Sequence, residues 1–324
     1  MPDIEHQQIP ANGIELHVAS CGPANGPPVV LCHGFPELWY SWRHQLTALG
    51  GAGFRALAPD LRGYGRSSHP SGVADYGSDR LTADLCGLLD HFGYGQAAFV
   101  GHDWGAMLVW EFGRLHPDRA SSIYNLSVPF TQSPAPPIEI FDAIFAGKFF
   151  YIVYFQEVGP AESELEADPR TFLRNMMYSA GGEGMAASPG MLPDVPREGT
   201  GFLDILSPAP DQLPPWITED DVDVYADAFI AGGFFGPLSF YRNMDANWQR
   251  SKDIPSSVLS MPIGFLTGSF DPVNAMLPGA AEAMDEAFPD FRGVTTVDGA
   301  GHWVQQERPG ETNAALVQFH SSLG

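Results

Sequence analysis

A chain of 324 residues, 44% hydrophobic and 17% charged, carries enough apolar material for a large core, which excludes a disordered polypeptide. Its formal net charge of -23 excludes nucleic acid and anionic membrane surfaces as partners, because holding phosphate takes a basic face. Cys21, Cys32 and Cys86 show no paired spacing, so neither a disulfide framework nor a zinc site is expected.

The opening residues, MPDIEHQQIPANG, have no basic start and no apolar run, so no secretory signal is expected. No stretch reaches the roughly 18 apolar residues of a membrane helix, and a cytoplasmic location is the expectation. Residues 28–32 (PVVLC) read as a buried central strand, and residues 54–59 (FRALAP) as a second. Residues 79–91 repeat apolar side chains at helical spacing, and 96–101 (QAAFVG) return to a strand. A helix over 106–116 ends before Pro117, and 121–128 form a further strand. This alternation predicts a mostly parallel sheet covered by helices.

The pattern then changes. Residues 129–248 give helical signals only, among them 161–177, with a break at Pro169, and 219–231. Between these two, 179–215 are rich in glycine and proline and predict a long irregular excursion. Strand signals return at 262–268 and 293–297, and helices at 280–288 and 309–321. The expectation is one α/β domain, built from residues 1–128 and 249–324, interrupted by a helical cap over 129–248.

Chemistry concentrates at the ends of the strands. In AFVGHDWG, residues 98–105, an apolar strand enters a Gly-x-Asp-x-Gly turn and a helix leaves it, the setting of a nucleophile elbow. Gly101 and Gly105 flank the bend because side chains there would clash with neighbouring backbone. The central residue is Asp103, and no Gly-x-Ser-x-Gly occurs in the chain. A serine attacking a saturated carbon would leave an ether that water cannot cleave, whereas a carboxylate leaves an ester that it can. Aspartate at the bend therefore points to displacement at saturated carbon, as in epoxide opening or dehalogenation. Asp103 considered alone could also serve as a helix cap.

Two more residues complete the constellation in the order nucleophile, acid, base. Asp271 follows the strand GFLTG, and His302 lies in the glycine-rich loop DGAGHWV after the last strand. Asp271 would hold the His302 tautomer and stabilise its imidazolium. In LCHGFPE, after the first central strand, the Phe35 N–H and the Trp104 N–H are candidate oxyanion donors. His33 reads as structural, hydrogen-bonded beneath the loop.

Taken together, HGFPELWYSWRHQ, DLRGYGRSS, VGHDWGAMLVWEF, YFQEVGPAESELE, GPLSFYRNMDANW and GHWVQQERP resemble the soluble-type epoxide hydrolases, from about residue 8 to residue 320. The resemblance implies an α/β-hydrolase fold with a helical lid and a small-molecule epoxide as partner. It implies a covalent ester on Asp103, hydrolysed by water that His302 activates, without metal or organic cofactor. It also implies two lid tyrosines that hydrogen-bond the epoxide oxygen, mapped to Tyr151 in FYIVYFQE and Tyr241 in GPLSFYRN, with Tyr154 as a competitor for the first. Phe35, Trp104, Tyr154 and Phe155 are expected to contact substrate, and the Phe35–Pro36 bond is expected to be cis. The excursion over 179–215 departs from common members and leaves lid shape open, as the motifs leave open a homodimer.

Two other readings compete. A dehalogenase shares aspartate, histidine and elbow, and the Trp104 indole could meet a halide. Phe35, however, stands where haloalkane dehalogenases present a second halide donor, and Trp104 stands where fluoroacetate dehalogenases carry arginine. A non-catalytic binding protein of this fold would have lost part of the set that this chain retains. Phe149, Phe150, Phe155 and Phe240 fit either an apolar or aryl substrate or simple lid packing.

Overall fold

The computed structural model describes residues 3–188 and 194–323. Eight strands form one sheet: β1 (Glu5–Ala11), β2 (Ile14–Cys21), β3 (Pro28–Cys32), β4 (Arg55–Pro59), β5 (Ala97–His102), β6 (Ala120–Leu126), β7 (Ile263–Gly268) and β8 (Phe291–Val297). Their spatial order is β1-β2-β4-β3-β5-β6-β7-β8. From β4 to β8 neighbours run parallel, while β2 pairs antiparallel with both β1 and β4. All residues of β5 and β7 are buried, because helices cover both faces there, and such strands read as unbroken apolar runs. The sequence reading missed β1 and β2 for the complementary reason. β1 buries only Ile9 and Ala11, and β2 carries buried His17 and Ser20 among its apolar residues, so neither shows a clean run.

In the first half α1 (Arg43–Gly51), α2 (Ser78–Phe92) and α3 (Trp104–Leu115) alternate with the strands. In α2, Leu81, Leu85, Leu88 and Leu89 fall on one buried face, and the helix ends at Gly93 in the left-handed conformation. The start of α3 presses on β3 so closely that a Cβ on Gly105 would lie 2.0 Å from the Cys32 carbonyl oxygen.

After β6 the chain leaves the sheet for α4 (Pro137–Ile144), α5 (Tyr151–Tyr154), α6 (Pro160–Leu165), α7 (Pro169–Ala180), α8 (Gly182–Ala187), α9 (Glu219–Gly232), α10 (Phe235–Arg242) and α11 (Met244–Ser251). The break expected at Pro169 separates α6 from α7, and Asp168 caps α7 by accepting a 3.0 Å bond from the Thr171 N–H. The excursion over 179–215 is more ordered than its composition predicts. Ser179 and Ala180 complete α7, α8 follows directly, and Leu203–Ile205 form a 3₁₀ turn. Residues 189–193 of that stretch lie outside the described residues. The chain then returns through β7, α12 (Pro272–Met276), α13 (Ala280–Ala287), β8, α14 (Val304–Glu307) and α15 (Pro309–Ser321).

The inserted helices are anchored on the sheet by aromatic packing. Phe35, on the loop after β3, places its ring 5.8–6.5 Å from those of Phe155, Phe172, Phe229, Phe234 and Tyr241. A polar tie adds to this: the Tyr225 hydroxyl on α9 lies 2.7 Å from Ser41 Oγ and donates to Gln306 Oε1 at 2.9 Å.

The two surroundings of glycine give opposite outcomes. Gly105→Ala drives a methyl group into backbone, so it costs about 3 kcal/mol or more in urea unfolding. Gly51→Ala, where a Cβ meets nothing within 4 Å, leaves stability unchanged or raises it by up to about 1 kcal/mol.

Candidate active site

Asp103 occupies the junction between β5 and α3 with φ 52° and ψ -118°, a backbone that side-chain-bearing residues rarely adopt. Its side chain makes no capping bond to α3, so the helix-cap reading fails. The carboxylate turns to the loop after β3, where the Phe35 N–H donates to Oδ1 at 2.8 Å. That approach requires glycine at position 34, since a Cβ there would lie 2.4 Å from Asp103 Oδ1. Trp104 is the first residue of α3, and its N–H has no acceptor within the helix, as expected of an oxyanion donor. The Phe35–Pro36 bond is cis. His33 is wholly buried beneath the loop, with Nδ1 2.9 Å from the Gly34 carbonyl and Nε2 accepting from the Leu61 N–H at 3.0 Å.

On the other side of Asp103 stands His302, with Nε2 3.5 Å from Asp103 Oδ2 and Nδ1 3.0 Å from Asp271 Oδ1. Asp271 Oδ1 also accepts the Val273 N–H at 3.0 Å, which fixes the carboxylate at the start of α12. Burial opposes the imidazolium, but Asp271 and Asp103 outweigh it and hold the His302 pKa well above its ordinary value. Burial likewise opposes ionised Asp271, and His302, Ser127 and the Val273 N–H outweigh it, keeping this carboxyl below the usual range.

Sequence reasoning did not find the buried groups that hold these loops. Glu37 Oε2 lies 2.6 Å from His102 Nδ1 and accepts the Gly34 N–H at 2.9 Å, while His102 Nε2 lies 2.7 Å from the His302 carbonyl oxygen. Interaction with His102 and the Gly34 N–H outweighs the burial of Glu37 and keeps its pKa down at about 2. Glu307 accepts N–H groups from Gly301 and Trp303, the two neighbours of His302, and from Gly182 at the start of α8, at 2.8–2.9 Å. Burial holds the Glu307 carboxyl up at about 7 against the pull of those three donors. The His302 N–H donates to the Ala180 carbonyl at 2.8 Å, a second tie to the α7–α8 corner.

A cavity of about 510 Å³, counted to its open mouth, joins these groups. Asp103, His302, Tyr151 and Tyr241 all line it, with ring centroids of the two phenols 6.0 Å apart. Burial first, and then the negative charge of Asp103, pushes both phenols well above their ordinary pKa. The remaining wall is apolar: Phe35, Phe202, Met176 and Met276 contribute to it. Tyr154 is not part of it, a correction to the expected contact. It points away, donating its hydroxyl to Glu164 Oε2 at 2.9 Å. Phe155 and Trp104 are also displaced from direct contact, lying behind the wall with rings 5.1 and 4.8 Å from Tyr241. Phe202, Met176 and Met276 carry no local signal, because only tertiary packing brings them here. Among the described residues no cluster of three or more His, Cys, Asp or Glu side chains could hold a metal ion, and no helix is long and apolar enough to cross a membrane.

The sheet order, the elbow at Asp103 and the loops carrying Asp271 and His302 define an α/β hydrolase, and the family model described as "alpha/beta hydrolase fold" matches residues 27–152. Epoxide hydrolase A of Mycobacterium tuberculosis is 44% identical over 319 residues, 97% of each chain. Epoxide hydrolase 2 of Siraitia grosvenorii is 39% identical over 327 residues, 98% of this chain and 99% of its own. Among solved structures, Epoxide Hydrolase A from Mycobacterium thermoresistibile superposes with a TM-score of 0.91 at 44% identity, covering 98% of both chains. The chain belongs to the epoxide hydrolases of the α/β-hydrolase fold.

The charge balance around His302 is testable. Asp271→Asn removes a group that raises the His302 pKa, so an NMR titration shows the ring proton leaving at lower pH than in the wild type. The raised value also fixes the sign for stability. In the wild type, the His302 contribution is complete below its ordinary value of 6.5 and is lost as pH rises through the folded-state value. Urea unfolding at stepped pH checks this, and the decline is smaller in the variant.

Proposed function

We propose that this enzyme converts an apolar epoxide and water to a vicinal diol through an ester on Asp103, with residues 129–248 acting as the lid. The reading is carried by one observation: Asp103 lies between the Phe35 N–H and His302 and shares the lining of one largely apolar cavity with two neutral phenols. In the first stage Asp103 Oδ2 attacks an epoxide carbon, the carbon–oxygen bond of the ring breaks, and its electron pair stays on oxygen. Tyr151 and Tyr241 hydrogen-bond that oxygen and one of them gives it a proton, which is made good by the proton that the regenerated Asp103 carboxyl releases after the second stage. The Asp103 charge that raised both phenols is consumed as the ester forms, so their acidity increases just as the alkoxide develops.

In the second stage His302 Nε2 takes a proton from water, and the hydroxide attacks Asp103 Cγ. The charge that forms on Oδ1 meets the Phe35 N–H already seated 2.8 Å away, joined by the Trp104 N–H. Asp271 stabilises the imidazolium, which then protonates the departing diol oxygen. The wall of Phe35, Phe202, Met176 and Met276 offers no charged partner, which supports an epoxide with apolar or aryl substituents.

His302→Gln stops after the first stage and accumulates an adduct whose mass equals enzyme plus epoxide. Single turnover of the wild type in heavy-oxygen water puts the label in Asp103 and none in the diol. Absence of the adduct, or label in the diol alone, overturns the two-stage scheme. Tyr151→Phe and Tyr241→Phe each lower kcat/KM by at least about tenfold, and the double variant by about 10²–10⁴, measured with styrene oxide.

A further inference from the structure

Ser127 follows β6 directly, is wholly buried, and has φ 68°, the left-handed region that a serine rarely occupies. Strained backbone of this kind persists where surrounding contacts over-determine it. The Ser127 N–H donates to the Leu266 carbonyl on β7 at 2.9 Å, and its hydroxyl donates to the His302 carbonyl at 3.0 Å. That carbonyl has a second partner, His102 Nε2, at 2.7 Å. Asp271 presents the opposite situation. Its Oδ1 is shared by His302 and the Val273 N–H, while its buried Oδ2 has no hydrogen-bond partner among the described residues. The hydroxyl is close enough to favour the ionised form of Asp271. One hydroxyl hydrogen therefore stands between an acceptor that is already served and one that is not.

We propose that Ser127 is a positioning residue for the second stage: its hydroxyl swings from the His302 carbonyl to Asp271 Oδ2, holding the carboxylate in place while His302 carries the proton taken from water. The inference rests on the reading of His302 and Asp271 as base and orienter. The move asked of the hydroxyl is a rotation about Cα–Cβ, from the His302 carbonyl that it meets at 3.0 Å to the unpartnered Asp271 Oδ2. A buried carboxylate oxygen without a donor is costly, and a hydrogen bond to a charged group is about twice as strong as one between neutral groups. His302 is faced by Asp271 from the loop after β7, by Asp103 from the elbow and by His102 at 4.8 Å between rings, with Tyr151 and Tyr241 lining the same cavity.

The test uses Ser127→Ala, which removes the hydroxyl and keeps the backbone strain, beside Ser127→Gly, which removes both. Rapid-quench kinetics with styrene oxide separate formation of the ester from its hydrolysis. Expected in both variants is hydrolysis slowed about tenfold, with formation unchanged within about twofold. The acid limb of the hydrolysis rate also moves to lower pH, because the bond to Asp271 forms while His302 carries the proton and its loss makes the imidazolium easier to deprotonate. Unchanged hydrolysis in either variant overturns the proposal, as does equal slowing of both stages without a pH shift, which marks a merely structural tie. Asp271→Asn is measured alongside. If it hydrolyses the ester at the wild-type rate, the base-and-orienter reading itself falls, whatever the serine variants show.

Discussion

The structure depends on how closely two backbones approach at the carboxyl edge of the sheet. The turn at Asp103 is bent into a conformation unfavourable for its own residue, and the loop after β3 is pressed against it so that the Phe35 N–H reaches Oδ1 at 2.8 Å. Neither contact tolerates a Cβ at Gly34 or Gly105. Local strain of this kind is stable only because β3 and β5 are adjacent, parallel and buried, so the strand ends cannot separate. Everything chemical is then hung on these two strand ends and their neighbours. Asp271 follows β7, His302 follows β8, and Phe35 extends from its loop into the aromatic packing of the inserted helices.

Electrostatics follows from the same burial. Asp103, Asp271 and Glu37 are carboxylates in a confined space, and charge there is managed by histidines and by backbone amides aimed at individual oxygens. His302 carries two neighbouring carboxylates, which explains why its proton affinity rises in spite of burial. In the proposed scheme ester formation neutralises Asp103 and removes one of the two, so the histidine would hold protons more weakly at the step that collects one from water.

Much of the fold and most of the site were legible in the sequence, for reasons that differ by residue. β3, β5 and β7 are covered on both faces and so appear as apolar runs, and Asp103 is marked by two glycines that its turn requires. Asp271 and His302 were found because each lies in a loop immediately after such a run. β1 and β2 were missed because β1 buries only Ile9 and Ala11 and β2 interrupts its apolar residues with buried His17 and Ser20. Tyr151 and Tyr154 sit on one turn of the short α5, and local periodicity does not tell which of them meets the cavity; the partner Glu164, ten residues on, draws Tyr154 away. Phe202, Ser127 and Glu307 had no pattern at all, since each is defined by groups that folding alone brings within reach.

The double tie between the α7–α8 corner and the loop of His302 bears on how this pocket can diversify. Ala180 forms part of the cavity wall, yet its carbonyl holds the His302 amide, and Gly182 two residues later shares the Glu307 carboxylate with both neighbours of that histidine. Reshaping the wall at this corner therefore also disturbs the loop that carries His302. The wall at Phe202 rests instead on the rings of Tyr151, Phe155 and Phe172. A change at Phe202 therefore leaves the hydrogen bonds to the His302 loop in place.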